Sequence, residues 1–546
     1  MNHTEFAEAL ALQEAGQFAE AASLYRAILD RDPNHADSLH LLGLITAEQS
    51  DPEAGIVMIR RAMAIQPGRA VYHHSLGLGY HRLGRMEDAA CEYRTAAALL
   101  PNAAEIQSNL ATALRTLGRH REAIEHYRRA VALAPGRPDT WYNLANALVE
   151  SGPSADIDMC FRKAIELKPD FVYALGNYGC WLIKQGRLVE AQGTLAQAVR
   201  LAPRYAAGWN QFGVALHELG LAHAEGCYRF AIDIEPGMAG AHYNLGRWLF
   251  DQGRTDDALA CHEAAINVDP GFGTARLATC FGQLPILYRT QDEVAERRTR
   301  YTKALADLDT ADTRSLADAI GQSQPFFLPY QGEDDRALQS TYGELACRIL
   351  AEIEPPARLA TRPAQGHRIR LGIVSGFFRD HTVFKLFLEG WVTQLDRSRF
   401  EVIGFHTGRV ADSQSARCAS LCDRFMHGLP SGGAWREAIS AAAPQVLLYP
   451  EVGIDPIAGR LAAMRLAPVQ CVTWGHPETT GMPTIDYFLS SELMEPPDGD
   501  AHYTERMVRL PNLGLNYTPD ALTSPAPRAL LGLDGEAPVF WSGQAL

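Results

Sequence analysis

Absences set the first limits on this chain. Its 546 residues contain no uninterrupted run of about 18 apolar residues, so no helical membrane span is on offer. The opening MNHTEFAEALALQEAG has no basic segment, apolar core or small-residue cleavage site, and already reads as an amphipathic helix. A cytoplasmic protein is the expectation. No CxxC pair occurs among the ten cysteines, and Cys418 and Cys422, four apart on an expected helix, have no matching His or Cys pair after them. Reduced, structural thiols are therefore expected rather than zinc or disulfides. Positive charge is also short. With 50 Lys and Arg against 64 Asp and Glu, the net charge is −14 and no basic strip stands out, which disfavours nonspecific binding to nucleic acid or anionic membranes. HExxH, a helix-opening GxGxxG, a Walker loop and GxSxG are all missing, so protease, dehydrogenase and kinase readings lose their usual support.

What the chain does have is a period. Pro33, Pro67, Pro101, Pro135, Pro169, Pro203, Pro236 and Pro270 stand 34 residues apart, with one step of 33. Each ends an amphipathic segment, since proline lacks the amide donor and clashes with the preceding turn. Small residues keep the same phase at Gly43, Gly77, Ala111, Ala145, Gly179, Gly213 and Gly246, and again at Ala21, Gly55, Ala89, Ala123, Ala191, Ala224 and Ala258. Large residues follow the second set four positions on, at Tyr25, Ile59, Tyr93, Tyr127, Phe161 and Tyr228, and Ala62 to Ala265 mark a third small position. A 34-residue period with alternating bulk and gap is the tetratricopeptide signature, and it predicts an α-solenoid of eight helix pairs over 1–273.

Two residues before the first small position stand Asn109, Asn143, Asn177 and Asn244, with Gln211 in the seventh repeat. Such a solenoid is concave, and its first helices line the groove where extended ligands lie. An amide both donates and accepts, so a row of them is suited to hold a polypeptide backbone without demanding a particular sequence. Plain polar helix surface is the alternative.

After Pro270 the register stops, and 274–366 read as a helical connector broken by QPFFLPYQG and closed by a proline-containing linker. From 367 short apolar runs alternate with helical stretches, the pattern of βαβ units and a parallel sheet. Strands are expected at 369–375, 400–406, 445–450, 469–474, 485–490 and 506–510, with Asp455 and Pro456 opening a helix. Ligands in such sheets bind beyond the carboxyl ends of the strands. Three of those ends are polar or glycine-rich: SGFFRDHTVFKLF with His381, EVGIDP with Glu451 and Gly453, and GHPETTG with Gly475, His476, Pro477, Glu478, Thr479, Thr480 and Gly481. His381 stands near a helix start, whose dipole favours the neutral imidazole, a form able to accept a proton near neutral pH. The amides and hydroxyls of GHPETTG suit an uncharged polar ligand such as a sugar. A packed histidine and an ordinary turn are the plainer readings of both. Asp156-Ile157-Asp158 and Asp498-Gly499-Asp500 imitate the DxD of metal-dependent glycosyltransferases, but their setting in a repeat loop and in a turn after EPP reads as solvated acid, and no metal is expected.

The repeats, the asparagine row, IRLGIVSGFFRDHTVFKL, LAPVQCVTWGHPETTGMPTIDY and YTERMVRLPNLGLNY together resemble the protein O-linked N-acetylglucosamine transferase family, in its bacterial SPINDLY-like branch, over essentially the whole chain. The resemblance implies a GT-B catalytic region of two Rossmann-like lobes, the first at 367–518 and the second beginning at 519–546. It implies metal-independent, inverting transfer of N-acetylglucosamine from a nucleotide sugar, UDP-N-acetylglucosamine as donor and no further cofactor, to Ser or Thr hydroxyls of protein acceptors. Residue by residue it assigns His381 as candidate base, Gly475, His476, Pro477, Thr479, Thr480 and Gln544 to the donor, and Asn109, Asn143, Asn177 and Asn244 to the acceptor peptide. A homodimer through the repeats is a further expectation. HTVFKL departs from the HisPro-containing version of animal members, and His476 replaces their aromatic residue. The family's diphosphate-contacting lysine would fall three residues past Gln544, beyond Leu546. An incomplete second lobe is therefore expected, with poor UDP binding and transfer near background. A catalytically inactive peptide-binding scaffold and a SPINDLY-type O-fucosyltransferase are the alternatives.

Overall fold

The computed structural model describes residues 2–309, 312–361, 367–408, 410–475 and 478–512, and the chain divides into two compact units between Glu293 and Val294. In the first unit sixteen helices form eight antiparallel pairs, from Asn2–Glu14 with Phe18–Arg31 to Ala239–Asp251 with Thr255–Val268, and Gly273–Phe281 packs on the last. The repeat prolines do more than stop helices. Their carbonyls are caught by side chains six residues on, in the next first helix: Gln107 Nε2 to Pro101 (3.0 Å), Trp141 Nε1 to Pro135 (2.8 Å), Trp209 Nε1 to Pro203 (2.9 Å) and Arg276 Nε to Pro270 (3.1 Å). One residue thus ends a helix and ties its end to the next repeat.

The alternation of small and large is a matter of clearance. A β-carbon on Gly77 would lie 2.4 Å from the Tyr93 ring, one on Gly179 2.4 Å from Leu195 and one on Gly213 2.6 Å from Tyr228. The large partners are sealed from solvent, and burying each ring accounts for roughly 2 kcal/mol of the packing. His262 occupies the same place in the eighth pair, against Gly246, and among the described residues neither ring nitrogen has a hydrogen-bond partner. Burial pushes its pKa down to about 4. The expected loop at Asp156–Asp158 is instead the first turn of helix Asp156–Leu167. Asp158 is no solvated acid: it accepts from Tyr178 Oη at 2.8 Å, Arg162 Nε at 2.7 Å and Arg187 Nη1 at 2.5 Å, an ion-pair hub that ties consecutive helices.

The second unit carries a seven-stranded, wholly parallel sheet: β1 Ile369–Ser375, β2 Phe400–His406, β3 Arg424–His427, β4 Val446–Tyr449, β5 Val469–Thr473, β6 Tyr487–Ser491 and β7 Arg506–Leu510, in the order β3-β2-β1-β4-β5-β6-β7. The central strands are apolar on both faces, with Ile373, Val374, Val402, Phe405, Leu447 and Leu448 buried, as a sheet covered on both sides requires. β3 was not expected, because RFMH is partly exposed and has no apolar run; pairing with Ile403–His406 makes it a strand. β6 begins two residues later than its pattern suggests. The architecture is an α-solenoid followed by a Rossmann-like α/β unit. The second-lobe expectation at 519–546 lies outside the described residues.

Part of the expected connector belongs to this unit. Helix Arg336–Ile353 lies against the GHPETTG loop, Gln324 Nε2 donates to the Asp455 carbonyl at 2.9 Å, and Arg460 reaches the Ile320 carbonyl (2.9 Å) and Glu354 (3.0 Å). The segment is a wall of the α/β unit as well as a link.

Candidate functional site

The sheet reverses its order between β1 and β4, so the segments that leave these two strands diverge and open a crevice at their carboxyl ends. The three polar segments read from the sequence meet there. Gly376, just past β1, donates its N–H to Glu451 Oε1 at 2.8 Å, just past β4. Thr473, ending β5, donates to the Pro450 carbonyl at 3.0 Å. A β-carbon on Gly475 would stand 2.2 Å from that carbonyl oxygen, so only glycine lets the β5 exit pass so close to β4.

His381 caps the helix that follows β1. Its Nδ1 accepts from the Val383 N–H at 3.2 Å, its carbonyl accepts from the Lys385 N–H at 3.1 Å, and its ring stacks on Phe377 with centroids 4.2 Å apart. The helix passes through a π-turn at Phe384–Leu388 before Glu389–Gln394. Desolvation, then the Arg379 charge, lowers the His381 pKa, so the ring is neutral near pH 7. With Nδ1 accepting, the proton sits on Nε2, and the outward nitrogen is a donor.

Buried and half-buried polar groups gather at the ends of β1, β2 and β4. Glu451 is fully buried; its Oε2 has no hydrogen-bond partner among the described residues, and desolvation, reinforced by Asp455, pushes its pKa well up. Asp455 caps helix Pro456–Ala462 through the Ile457 N–H at 3.1 Å and accepts from the Thr407 hydroxyl; burial raises its pKa too. His406, at the end of β2, is held between the carbonyls of Ser375 (3.3 Å) and Val410 (2.9 Å).

Thr479 and Thr480 are engaged within the protein. Both are buried, and their hydroxyls donate to Glu505, Thr479 Oγ1 at 2.6 Å, while the Thr480 N–H reaches the same carboxylate at 2.8 Å. They build the loop and present no free hydroxyl to a ligand. Glu478 is bonded by Gln339 and shares its burial with Asp335, itself paired with Arg298 at 2.6 Å. Desolvation and Asp335 push the Glu478 pKa up to about 9. Gln324, Gln339, Val452, Gly453 and Glu478 enclose a small pocket between the connector and the ends of β4 and β5. His476, Pro477 and Gln544 lie outside the described residues. Asp500, in the second DxD, pairs with Arg509 at 2.5 Å. Among the described residues no three of His, Cys, Asp and Glu are grouped to hold a metal ion, and no helix is long and apolar enough to cross a membrane.

The asparagine row is half-buried and cross-linked along the solenoid. Asn177 Nδ2 donates to Tyr142 Oη and Asn146 Oδ1, each at 3.0 Å, Asn244 Nδ2 to Asn210 Oδ1 at 3.0 Å, and Asn109 Nδ2 meets His74 Nε2 at 2.9 Å. Asn177 has spent both amide hydrogens and offers only its carbonyl oxygen, so at this rung the expected donor-and-acceptor behaviour becomes acceptance alone. Asn143 shares the placement, on helix Pro138–Ser151.

Sequence reasoning placed Glu451 at a strand end without seeing its burial, and missed Glu505, Gln324, Gln339 and Asp335. A lone acid after the apolar run VLLYP was the available signal for Glu451. The others contact the site from far along the chain.

Comparison with known proteins finds the same repeats. Family models described as TPR repeat and Tetratricopeptide repeat match residues 111–152, 6–70 and 243–268. A probable UDP-N-acetylglucosamine–peptide N-acetylglucosaminyltransferase SPINDLY of Arabidopsis thaliana is 32% identical over 169 residues, 29% of this chain and 18% of that protein. A UDP-glucose:protein N-β-glucosyltransferase of Actinobacillus pleuropneumoniae is 30% identical over 87 residues, 16% of this chain and 14% of that protein. The solved O-GlcNAc transferase mutant of Thermobaculum terrenum aligns over 65% of this chain and 60% of its own, at 22% identity and a TM-score of 0.48. The chain spans about a fifth of the length of the SPINDLY relative. The chain carries tetratricopeptide repeats and is similar to SPINDLY proteins over part of its length.

Proposed function

We propose that the chain serves protein glycosylation: the α/β unit holds a sugar at the carboxyl ends of β1, β4 and β5, and the solenoid holds the acceptor polypeptide. The observation that carries this reading is the meeting of Gly376, Glu451 and Gly475 at the point where the strand order reverses. Backbone approaches that only glycine permits, over a floor of buried and largely uncharged polar groups, suit a neutral polyol better than an anion. The related proteins named as N-acetylglucosaminyl and glucosyl transferases support the class of chemistry.

In the reaction an acceptor hydroxyl attacks the anomeric carbon as the bond to the nucleoside diphosphate breaks; attack opposite the leaving group inverts that carbon, and the hydroxyl proton must be taken up. His381 is the candidate group on this unit. In its resting geometry Nε2 carries the proton and suits hydrogen bonding to a sugar or phosphate oxygen. Service as a base requires the proton on Nδ1 and release of the Val383 bond. Gly475 lets the donor loop approach. Asn109, Asn143, Asn177 and Asn244 bind peptide, with Asn177 accepting from backbone N–H groups.

The test is transfer from labelled UDP-N-acetylglucosamine, UDP-glucose and GDP-fucose to an unstructured Ser/Thr-rich peptide, with and without His381→Ala. A drop of about 100-fold in the variant is expected for loss of an acid–base group. Unchanged transfer would remove His381 from the chemistry; peptide binding with no transfer from any donor would leave the scaffold reading.

A further inference from the structure

We propose that Glu451 is a positioning residue for His381: its carboxyl, sealed beneath the ends of β1 and β4, fixes the segment Gly376–His381 on which that ring is set. The proposal builds on the reading of this edge as the sugar site. It concerns a group that the reaction itself does not touch.

The path is short. Glu451 Oε1 takes the Gly376 N–H at 2.8 Å. The next residue, Phe377, donates its N–H to Ser375 Oγ at 3.0 Å and carries the ring on which His381 stacks. Gly376 has no freedom to drift: a β-carbon on it would meet Asp455 Oδ2 at 3.0 Å, and one on Gly408 would meet its carbonyl oxygen at 2.2 Å. Glu451 is thus the polar anchor of a segment gripped on both sides. A fully buried carboxyl that keeps one oxygen unmatched while its bonds go to the Gly376 amide and the Ser375 side chain is an expensive anchor, and a residue that costs stability at a ligand-facing edge points to function rather than to packing. Burial and the nearby Asp455 push the pKa of this carboxyl well up, and its contact with the segment that carries His381 is the bond to Gly376. The charges that act on His381 are Arg379 and Asp380 on its own segment; Asp380 is paired with Lys385 of the following helix at 2.9 Å, and its N–H goes to the Asp412 carboxylate at 2.8 Å.

The experiment follows the His381 ring in the whole chain by NMR of [13C]histidine-labelled protein, the signal being assigned by its loss in His381→Gln. Glu451→Gln retains a carbonyl for the Gly376 N–H and should leave the shift and the titration of His381 unchanged. Glu451→Leu removes the acceptor; the ring signal should move, and the midpoint should rise toward the free-imidazole value of about 6.5. Phe377→Leu should reproduce that change with Glu451 intact, and it carries the test if Glu451→Leu does not fold. An unmoved His381 in folded Glu451→Leu or in Phe377→Leu overturns the proposal, as does an equal change in Glu451→Gln. Because the readout is the ring itself, it stands or falls apart from the transfer assay.

Discussion

Gly343, in helix Arg336–Ile353, faces the backbone of Gly481 so closely that a β-carbon on it would lie 2.4 Å from the Gly481 carbonyl carbon and oxygen. Gly481 in turn has φ +64°, and a β-carbon there would stand 2.0 Å from the Gln339 carbonyl oxygen. Two glycines thus let a helix from the connector touch the GHPETTG loop backbone to backbone. Because neither neighbour is a flexible side-chain end, Gly343→Ala must push helix and loop apart, and overpacking of this kind costs about 1–3 kcal/mol. Denaturant unfolding of the variant checks it; an unshifted midpoint would mean the contact yields freely.

Glu505 is the acceptor for two threonine hydroxyls and one backbone amide in the same loop. Glu505→Ala strands all three buried donors, and a loss of about 3 kcal/mol or more is expected. Thr479→Ser should cost less, since it keeps the hydroxyl that donates to Glu505 and accepts from the Thr504 and Gly481 N–H groups. Stabilities in the reverse order would show that the loop is held otherwise.

The buried histidines of the solenoid and the buried carboxyls of the sheet unit should respond to pH with opposite signs. His262 and His40 in the solenoid have folded pKa values near 4, below the unfolded value near 6.5. Their contribution is therefore present above pH 6.5 and lost as pH falls toward 4. Glu478, raised to about 9, and Glu451 and Asp455, also raised, contribute stability that is present below about pH 4 and lost as pH rises toward 9. Hydrogen exchange resolved by peptide, between pH 4 and 9, should show the solenoid loosening at the acid end and the sheet unit at the alkaline end. His262→Phe should blunt the acid effect. A sheet unit that does not loosen toward pH 9 would refute the assignment.

Asn177→Ala removes bonds to Tyr142 and Asn146 as well as any contact with peptide. A stability loss of about 1 kcal/mol is expected before a ligand is added. Thermal melts alongside peptide titrations by fluorescence polarisation separate the two effects. Weaker binding with an unaltered melt would leave the lateral bonds without energetic weight.

Sequence reading succeeded where the signal is local or periodic. Pro33 to Pro270 and the small positions could be phased because every repeat solves the same packing problem, and the structure shows the solution in Gly77 under Tyr93. The strand ends bearing Gly376, Glu451 and Gly475 were legible because βαβ alternation places them on one edge. What the Thr479 and Thr480 hydroxyls bond was not legible, for a physical reason: their acceptor, Glu505, stands some 25 residues away.

The sequence by itself determined the period, the helix stops, the strand-and-helix alternation and the residues that gather at the sheet edge, all of which follow from backbone chemistry within a few dozen residues. Tertiary structure alone decided which of those polar groups are spent and which are spared. Burial raises the pKa of Glu451 and seals its bond to Gly376, the connector supplies Gln339 and Gly343 to the loop, and the neighbouring repeats consume the amide hydrogens of Asn177. Hydrogen-bond capacity and charge are properties of surroundings, and those surroundings come from residues tens to more than a hundred positions away.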